Sequence, residues 1–258
     1  MTAVHYEVEG PADAAAVVLS PSLGTELSMW EAQARRLSAD HRVISYDLRG
    51  HGRSPVPPGP YSIADLGADL IDLLDRLDVE RASLCGISIG GMVSMWVAAH
   101  APERVDRLVV CCSSAHIDPE GTYRERAALV REQGMAVVAE GALERWFTAG
   151  FRDAHPDLVR WVCERLLAVS IEGYAGCCEA LADEDLRSEL GSIRAPTLVL
   201  AGAEDPATPV EHSEAIAAGI AGSRLEVVAD AAHLANLGQP EVVSDLIVDH
   251  LTKERLHE

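Results

Sequence analysis

The chain has 258 residues, 48% hydrophobic and 24% charged, the balance of an ordinary folded protein and neither a disordered nor a fibrous one. Its formal charge of -20 argues against a nucleic-acid partner, whose phosphates it would repel, and requires local cations at any site for a small anion. No apolar run approaches the roughly 18 residues of a membrane helix, so no membrane partner is expected.

The opening Met1-Thr2-Ala3-Val4-His5-Tyr6-Glu7 carries no cationic, apolar leader, and the expected location is the cytoplasm. Val4 to Val8 alternates as an exposed strand does, and Ala15 to Ser20 reads as a short buried strand ending at Pro21-Ser22-Leu23-Gly24. Arg42 to Asp47 is a further strand, followed by the turn Arg49-Gly50-His51-Gly52-Arg53-Ser54. From Ser62 to Leu77 the apolar residues Ile63, Leu66, Leu70, Leu73, Leu74 and Leu77 recur at helical spacing, and Ser62 with Asp65 forms a capping box. Ala82 to Gly86 is a strand, Ile89 to His100 a helix stopped by Pro102, and Arg107 to Cys112 a strand. From Asp118 to Asp185 only helical periodicity is present, with segments near 122–140, 142–150, 156–170 and 173–182. Alternation then resumes: strand Pro196 to Ala201, helix Val210 to Ile220, strand Arg224 to Val228 and helix Glu241 to Leu251.

Strands alternating with helices predict an α/β fold with a mostly parallel central sheet covered on both faces. The helical stretch predicts a cap over the sheet edge where the loops converge. The expected division is a core of residues 1–117 and 186–258 with a cap of residues 118–185. Cys85, Cys111, Cys112, Cys163, Cys177 and Cys178 lie in apolar segments without C-x-x-C spacing, so they read as reduced core thiols. No metal or other cofactor is expected. The oligomeric state is open, a homo-oligomer included.

Cys85-Gly86-Ile87-Ser88-Ile89-Gly90-Gly91 contains G-x-S-x-G, which by itself is a weak signal. Its setting strengthens it, because Ser88 falls where a strand meets a helix, as a nucleophile elbow requires. A turn that tight excludes side chains at Gly86 and Gly90 and aims the hydroxyl into the cleft. A serine hydroxyl needs a neighbouring base and an acid to orient that base. Downstream, Asp205 follows a buried strand and His233 lies between the last strand and the last helix, in the chain order serine, acid, histidine. Glu204 and Asp230 are the alternative acids. An oxyanion needs N–H donors, which position assigns to the backbone amides of Ile89 and Leu23. His51 is expected to serve its turn, and His116 to sit at the cap entrance.

These blocks, together with Ser22-Leu23-Gly24-Thr25, Asp47-Leu48-Arg49-Gly50-His51-Gly52-Arg53-Ser54, Arg145-Trp146-Phe147 and Ala232-His233-Leu234-Ala235-Asn236, resemble the 3-oxoadipate enol-lactonases of the α/β-hydrolase family over nearly the whole chain. Pro21 departs from the asparagine expected there, and Ile87 and Ile89 from the commoner residues around the serine. The resemblance implies cofactor-free opening of a small anionic lactone through an acyl-enzyme. Trp146 would then contribute to an apolar roof with Phe147, Phe151 and Trp161. Arg145, or Arg152 seven residues on along the same helical face, would bind the substrate carboxylate. Rival readings are a carboxylesterase, perhydrolase or carbon-carbon bond hydrolase of the same fold, and a slowly turning ligand-binding receptor.

Overall fold

The computed structural model describes residues 2–117 and 121–252; the expected cap start at Asp118 and the lysine Lys253 lie outside them. In chain order the elements are β1 (Tyr6–Glu9), β2 (Ala16–Ser20), α1 (Glu31–Leu37), β3 (Arg42–Tyr46), α2 (Ile63–Arg76), β4 (Ala82–Ile87), α3 (Ile89–His100) and β5 (Val105–Cys111). Five helices follow, α4 (Thr122–Gln133), α5 (Ala136–Trp146), α6 (Ala149–Ala154), α7 (Pro156–Ala168) and α8 (Ile171–Asp183). Then come β6 (Thr197–Gly202), α9 (Val210–Gly219), β7 (Arg224–Val228), α10 (Ala235–Gly238) and α11 (Pro240–Thr252).

The strands form one sheet in the order β1-β3-β2-β4-β5-β6-β7, parallel except for β1, which runs antiparallel to β3. Central strands β2, β4 and β6 are buried at every position, which their apolar runs demand because helices cover both faces. The edge strands β1 and β7 are largely half-buried or exposed. Helix α2 shows how local chemistry sets an element. Ser62 Oγ accepts from Asp65 N at 3.1 Å while Asp65 Oδ2 accepts from Ser62 N at 3.0 Å, and Leu66, Leu70, Leu73 and Leu74 bury one face.

From β2 the chain crosses to β3 on one side and then returns to β4 on the other. That reversal opens a crevice at the carboxyl ends of β2 and β4, where ligands bind in open α/β sheets. Ser20 and Gly86 are register partners there, so the loops after the two strands emerge side by side.

The helices between β5 and β6 divide differently from the periodicity. The segment expected at 122–140 breaks at Gly134, whose φ of +79° separates α4 from α5. The segment expected at 142–150 ends at Trp146, and Thr148 caps a new helix, α6, by accepting from Phe151 N at 3.2 Å. Arg145 and Arg152 therefore lie on separate helices rather than on one shared face. Among the described residues no helix is long and apolar enough to cross a membrane.

Candidate active site

Ser88 sits between β4 and α3 with φ +58° and ψ -123°, a strained conformation that only its surroundings can hold. Those surroundings admit no side chains. A Cβ on Gly86 would stand 2.1 Å from the Gly90 carbonyl oxygen, and one on Gly90 would stand 2.4 Å from that of Ser20. The second contact seats the loop after β2 directly against the start of α3. Ser88 is fastened from the other side by its N–H to the Cys111 carbonyl at 3.0 Å and by the Ser113 hydroxyl to its own carbonyl at 2.7 Å.

His233 reaches both expected partners. Its Nε2 lies 2.8 Å from Ser88 Oγ and its Nδ1 lies 2.8 Å from Asp205 Oδ2. All three side chains are buried. Asp205 is tied down in turn: Oδ1 accepts from the N–H groups of Ala207 and Thr208 at 2.8 and 3.0 Å, and Oδ2 from the Thr208 hydroxyl at 2.7 Å. Burial works to raise the Asp205 pKa, but the His233 interaction and the Thr208 hydrogen bonds outweigh it and hold the carboxyl below its usual range. Of the alternative acids, Glu204 and Asp230 are exposed, whereas Asp205 carries the bond to His233. In the tautomer this network favours, Nδ1–H donates to Asp205 and Nε2 is free to accept from Ser88.

The loop after β2 spends its amides one by one. Ser22 N–H meets Met29 Sδ at 3.3 Å, Thr25 N–H donates to the Ser22 carbonyl at 3.2 Å, and Gly24 N–H donates to His51 Nε2 at 3.0 Å. The amide of Leu23 is not among those bonds, and that of Ile89, at the first position of α3, has no acceptor within its own helix. Both expected donors therefore lie on the two segments that the Gly90 contact brings together.

His51 is the part of this site that the motif does not reveal. Its Nδ1 faces the Arg49 carbonyl at 3.2 Å, the turn role expected of it, while Nε2 reaches 27 residues back to hold Gly24. Complete burial lowers its pKa to about 4, so it is neutral and keeps the lone pair that Gly24 N–H needs. Only an invariant pairing of two distant turns could have announced this bond, and one sequence does not contain that signal.

The helical segment meets the site through α5, α7 and α8. A Cβ on Gly24 would lie 2.6 Å from Leu166 Cδ1 and 3.3 Å from both Trp146 Cη2 and Tyr174 Cε2. The His233 N–H donates to the Arg145 carbonyl at 3.3 Å and the Leu234 N–H to that of Trp146 at 3.1 Å. Trp146 thus reaches the loop after β2 with its ring, and Arg145 adjoins His233 through its main chain. Arg152 pairs with Glu144 at 3.9 Å. Phe147 and Phe151 stack at 5.1 Å, while Trp161 lies under the Arg165 guanidinium at 4.0 Å. His116 contacts the Glu184 carbonyl through Nδ1 at 3.0 Å. The six cysteines are free, five of them buried, and among the described residues no cluster of potential metal ligands occurs.

The sequence model of the alpha/beta hydrolase fold matches residues 15–240. The chain is 44% identical over 245 residues to 3-oxoadipate enol-lactonase 2 of Acinetobacter baylyi, covering 95% of this chain and 91% of that protein. Among solved structures, an enol-lactonase from Burkholderia xenovorans LB400 superposes with a TM-score of 0.95 at 38% identity, covering 97% of this chain and 96% of that one. A thermophilic esterase from Thermogutta terrifontis superposes with a TM-score of 0.91 at 32% identity, covering 96% and 92%.

Proposed function

Because the chain belongs to the α/β-hydrolase family, with 3-oxoadipate enol-lactonases among its relatives, we propose that it opens 3-oxoadipate enol-lactone to 3-oxoadipate through an acyl-enzyme on Ser88. The observation that carries this reading is the hydrogen-bonded run from Ser88 through His233 to Asp205, beside the Leu23 and Ile89 amides. His233 takes the Ser88 proton as the oxygen attacks the lactone carbonyl, and Asp205 stabilises the imidazolium that forms. The negative charge passes to the carbonyl oxygen, where the Leu23 and Ile89 amides receive it, each such donor commonly worth about 3 kcal/mol.

Collapse of the intermediate breaks the ring bond to the enol oxygen. An enol leaves more readily than an alkoxide, so His233 need return its proton less fully. Water, deprotonated by His233, then attacks the acyl-enzyme, Ser88 regains its proton, and the released enol tautomerises to the ketone. Trp146 roofs the reacting group, and Arg145 offers a cation for the substrate's carboxylate, which the global charge would otherwise repel. The chemistry is that of a small metabolite, and we place it in the cytoplasm.

The esterase likeness supports a second reading, hydrolysis of simple carboxylic esters by the same residues. Ultraviolet loss of freshly made enol-lactone separates the two. The wild type is expected to consume it faster than it consumes aryl acetates, and Ser88→Ala to lower kcat at least about 10⁴-fold. Brisk ester hydrolysis without lactone turnover would overturn the substrate proposal, and full activity in Ser88→Ala would overturn the nucleophile.

A further inference from the structure

With 41 acidic residues against 21 basic ones, an arginine on this chain finds a carboxylate easily. Among the helices between β5 and β6, Arg124 pairs with Asp183, Arg131 with Glu172 and Glu179, Arg160 with Asp157 and Arg152 with Glu144, while Arg165 reaches across to Glu26. Arg126 and Arg145 differ. Both are partly buried, and among the described residues neither forms an ion pair.

The two line one groove of about 430 Å³ between α4 and α5, together with Thr122, Leu129, Val138 and Gly141; the exposed Glu125 borders it without pairing to either arginine among the described residues. Burial, and then the Arg126 charge, lower the Arg145 pKa, and Tyr174, Tyr123 and Glu144 offset this only in part. Arg126 lies over the Tyr123 ring at 4.5 Å from its centroid and beside the Tyr174 side chain. The buried Tyr174 packs between Arg126 and the loop after β2, its ring edge 3.3 Å from the Cβ position of Gly24. Arg145 meets His233 through its carbonyl on the His233 N–H.

Burial and the neighbouring Arg126 charge disfavour the Arg145 cation, whereas the tyrosines around Arg126 favour its charge. An anion in the groove would relieve the first and meet the second, and a carboxylate matches the forked donors of both. We propose that Arg126 and Arg145 form a two-arginine subsite for the free carboxylate of the substrate, with Arg126 the specificity-determining member; the identity of that anion rests on the enol-lactonase reading. Tyr123 and Tyr174 orient Arg126, and the subsite concentrates an anion that the rest of the molecule repels.

Monomethyl and dimethyl adipate test this, because they share the six-carbon chain of the proposed product and differ by one charge. The wild type should favour the monoester in kcat/KM. Arg126→Gln should shrink that preference about tenfold or more, chiefly through the KM of the monoester, and Arg126→Lys should keep part of it. A wild type without the preference, or Arg126→Gln with the wild-type ratio, overturns the subsite. A second measurement needs no variant: adipate should compete with dimethyl adipate on the wild type, and added salt should weaken that inhibition. No inhibition by adipate also overturns it. Failure to consume enol-lactone while the monoester preference persists would sink the substrate proposal and support the subsite.

Discussion

The rim of the sheet and the helices above it hold their polar groups in opposite ways. At the rim Asp205, His233, Ser88 and His51 are buried, each bonded to a partner on another element, and a Cβ at Gly86 or Gly90 would meet backbone at 2.1 or 2.4 Å. In the helical segment most charges lie at the surface in ion pairs, and two cations face a groove without one among the described residues. The difference fits the roles proposed for each. Transition-state stabilisation needs donors fixed before the reaction, whereas recognition of a carboxylate needs charge left unspent until the ligand arrives.

If the rim sets the rate, its largest vulnerability beyond the triad is His51. His51→Ala should lower kcat about 10²- to 10³-fold, the effect of losing one oxyanion donor, because Gly24 and with it Leu23 would lose their anchor. His51→Gln, whose amide oxygen can accept from Gly24, should recover much of that loss; equal losses in both variants would reduce His51 to packing. The same residue makes a pH prediction. Burial depresses its pKa from 6.5 to about 4, so the unfolded chain binds the proton more tightly than the folded one. Its stabilising contribution is therefore complete above about pH 6.5 and fades as pH falls toward 4, by at most about 3 kcal/mol. Urea midpoints at pH 4.5 and 7 should differ less in His51→Gln than in the wild type.

Gly24 sharpens the comparison where the two regions touch. Its φ is +80°, and a Cβ would press on Leu166 of α7 at 2.6 Å. Gly24→Ala should cost about 1–3 kcal/mol in thermal or urea unfolding and lower kcat along with it. Lost stability with kcat intact would mean that the loop's conformation does not govern the rate. The smallest effect is expected at Arg131, which bridges Glu172 and Glu179 from α4 to α8 near the surface. Arg131→Ala should lower stability by under about 1 kcal/mol, and less in high salt. A larger, salt-sensitive loss would show that ion pairs rather than apolar packing hold these helices together.

Much of the architecture was legible because it is written over short distances. The Ser62 capping box, the leucine spacing of α2 and the apolar runs of the central strands each involve residues a few positions apart. Helix α1 escaped notice because it is only seven residues long and its Glu-Ala-Gln-Ala-Arg-Arg-Leu run has too few apolar positions to show a period. The breaks at Gly134 and at Phe147-Thr148 were missed because tolerated glycines and single caps do not betray themselves inside a helical pattern.

The sequence by itself determined where Ser88, Asp205 and His233 fall along the chain, since glycine spacing and strand ends are local properties. Only the tertiary structure decided which carboxylate meets His233, that His51 holds Gly24, and that Arg126 and Arg145 line one groove while Arg152 goes to Glu144. Each of those outcomes depends on how separate elements pack, and a single chain of letters carries no distance between residues that only folding brings together.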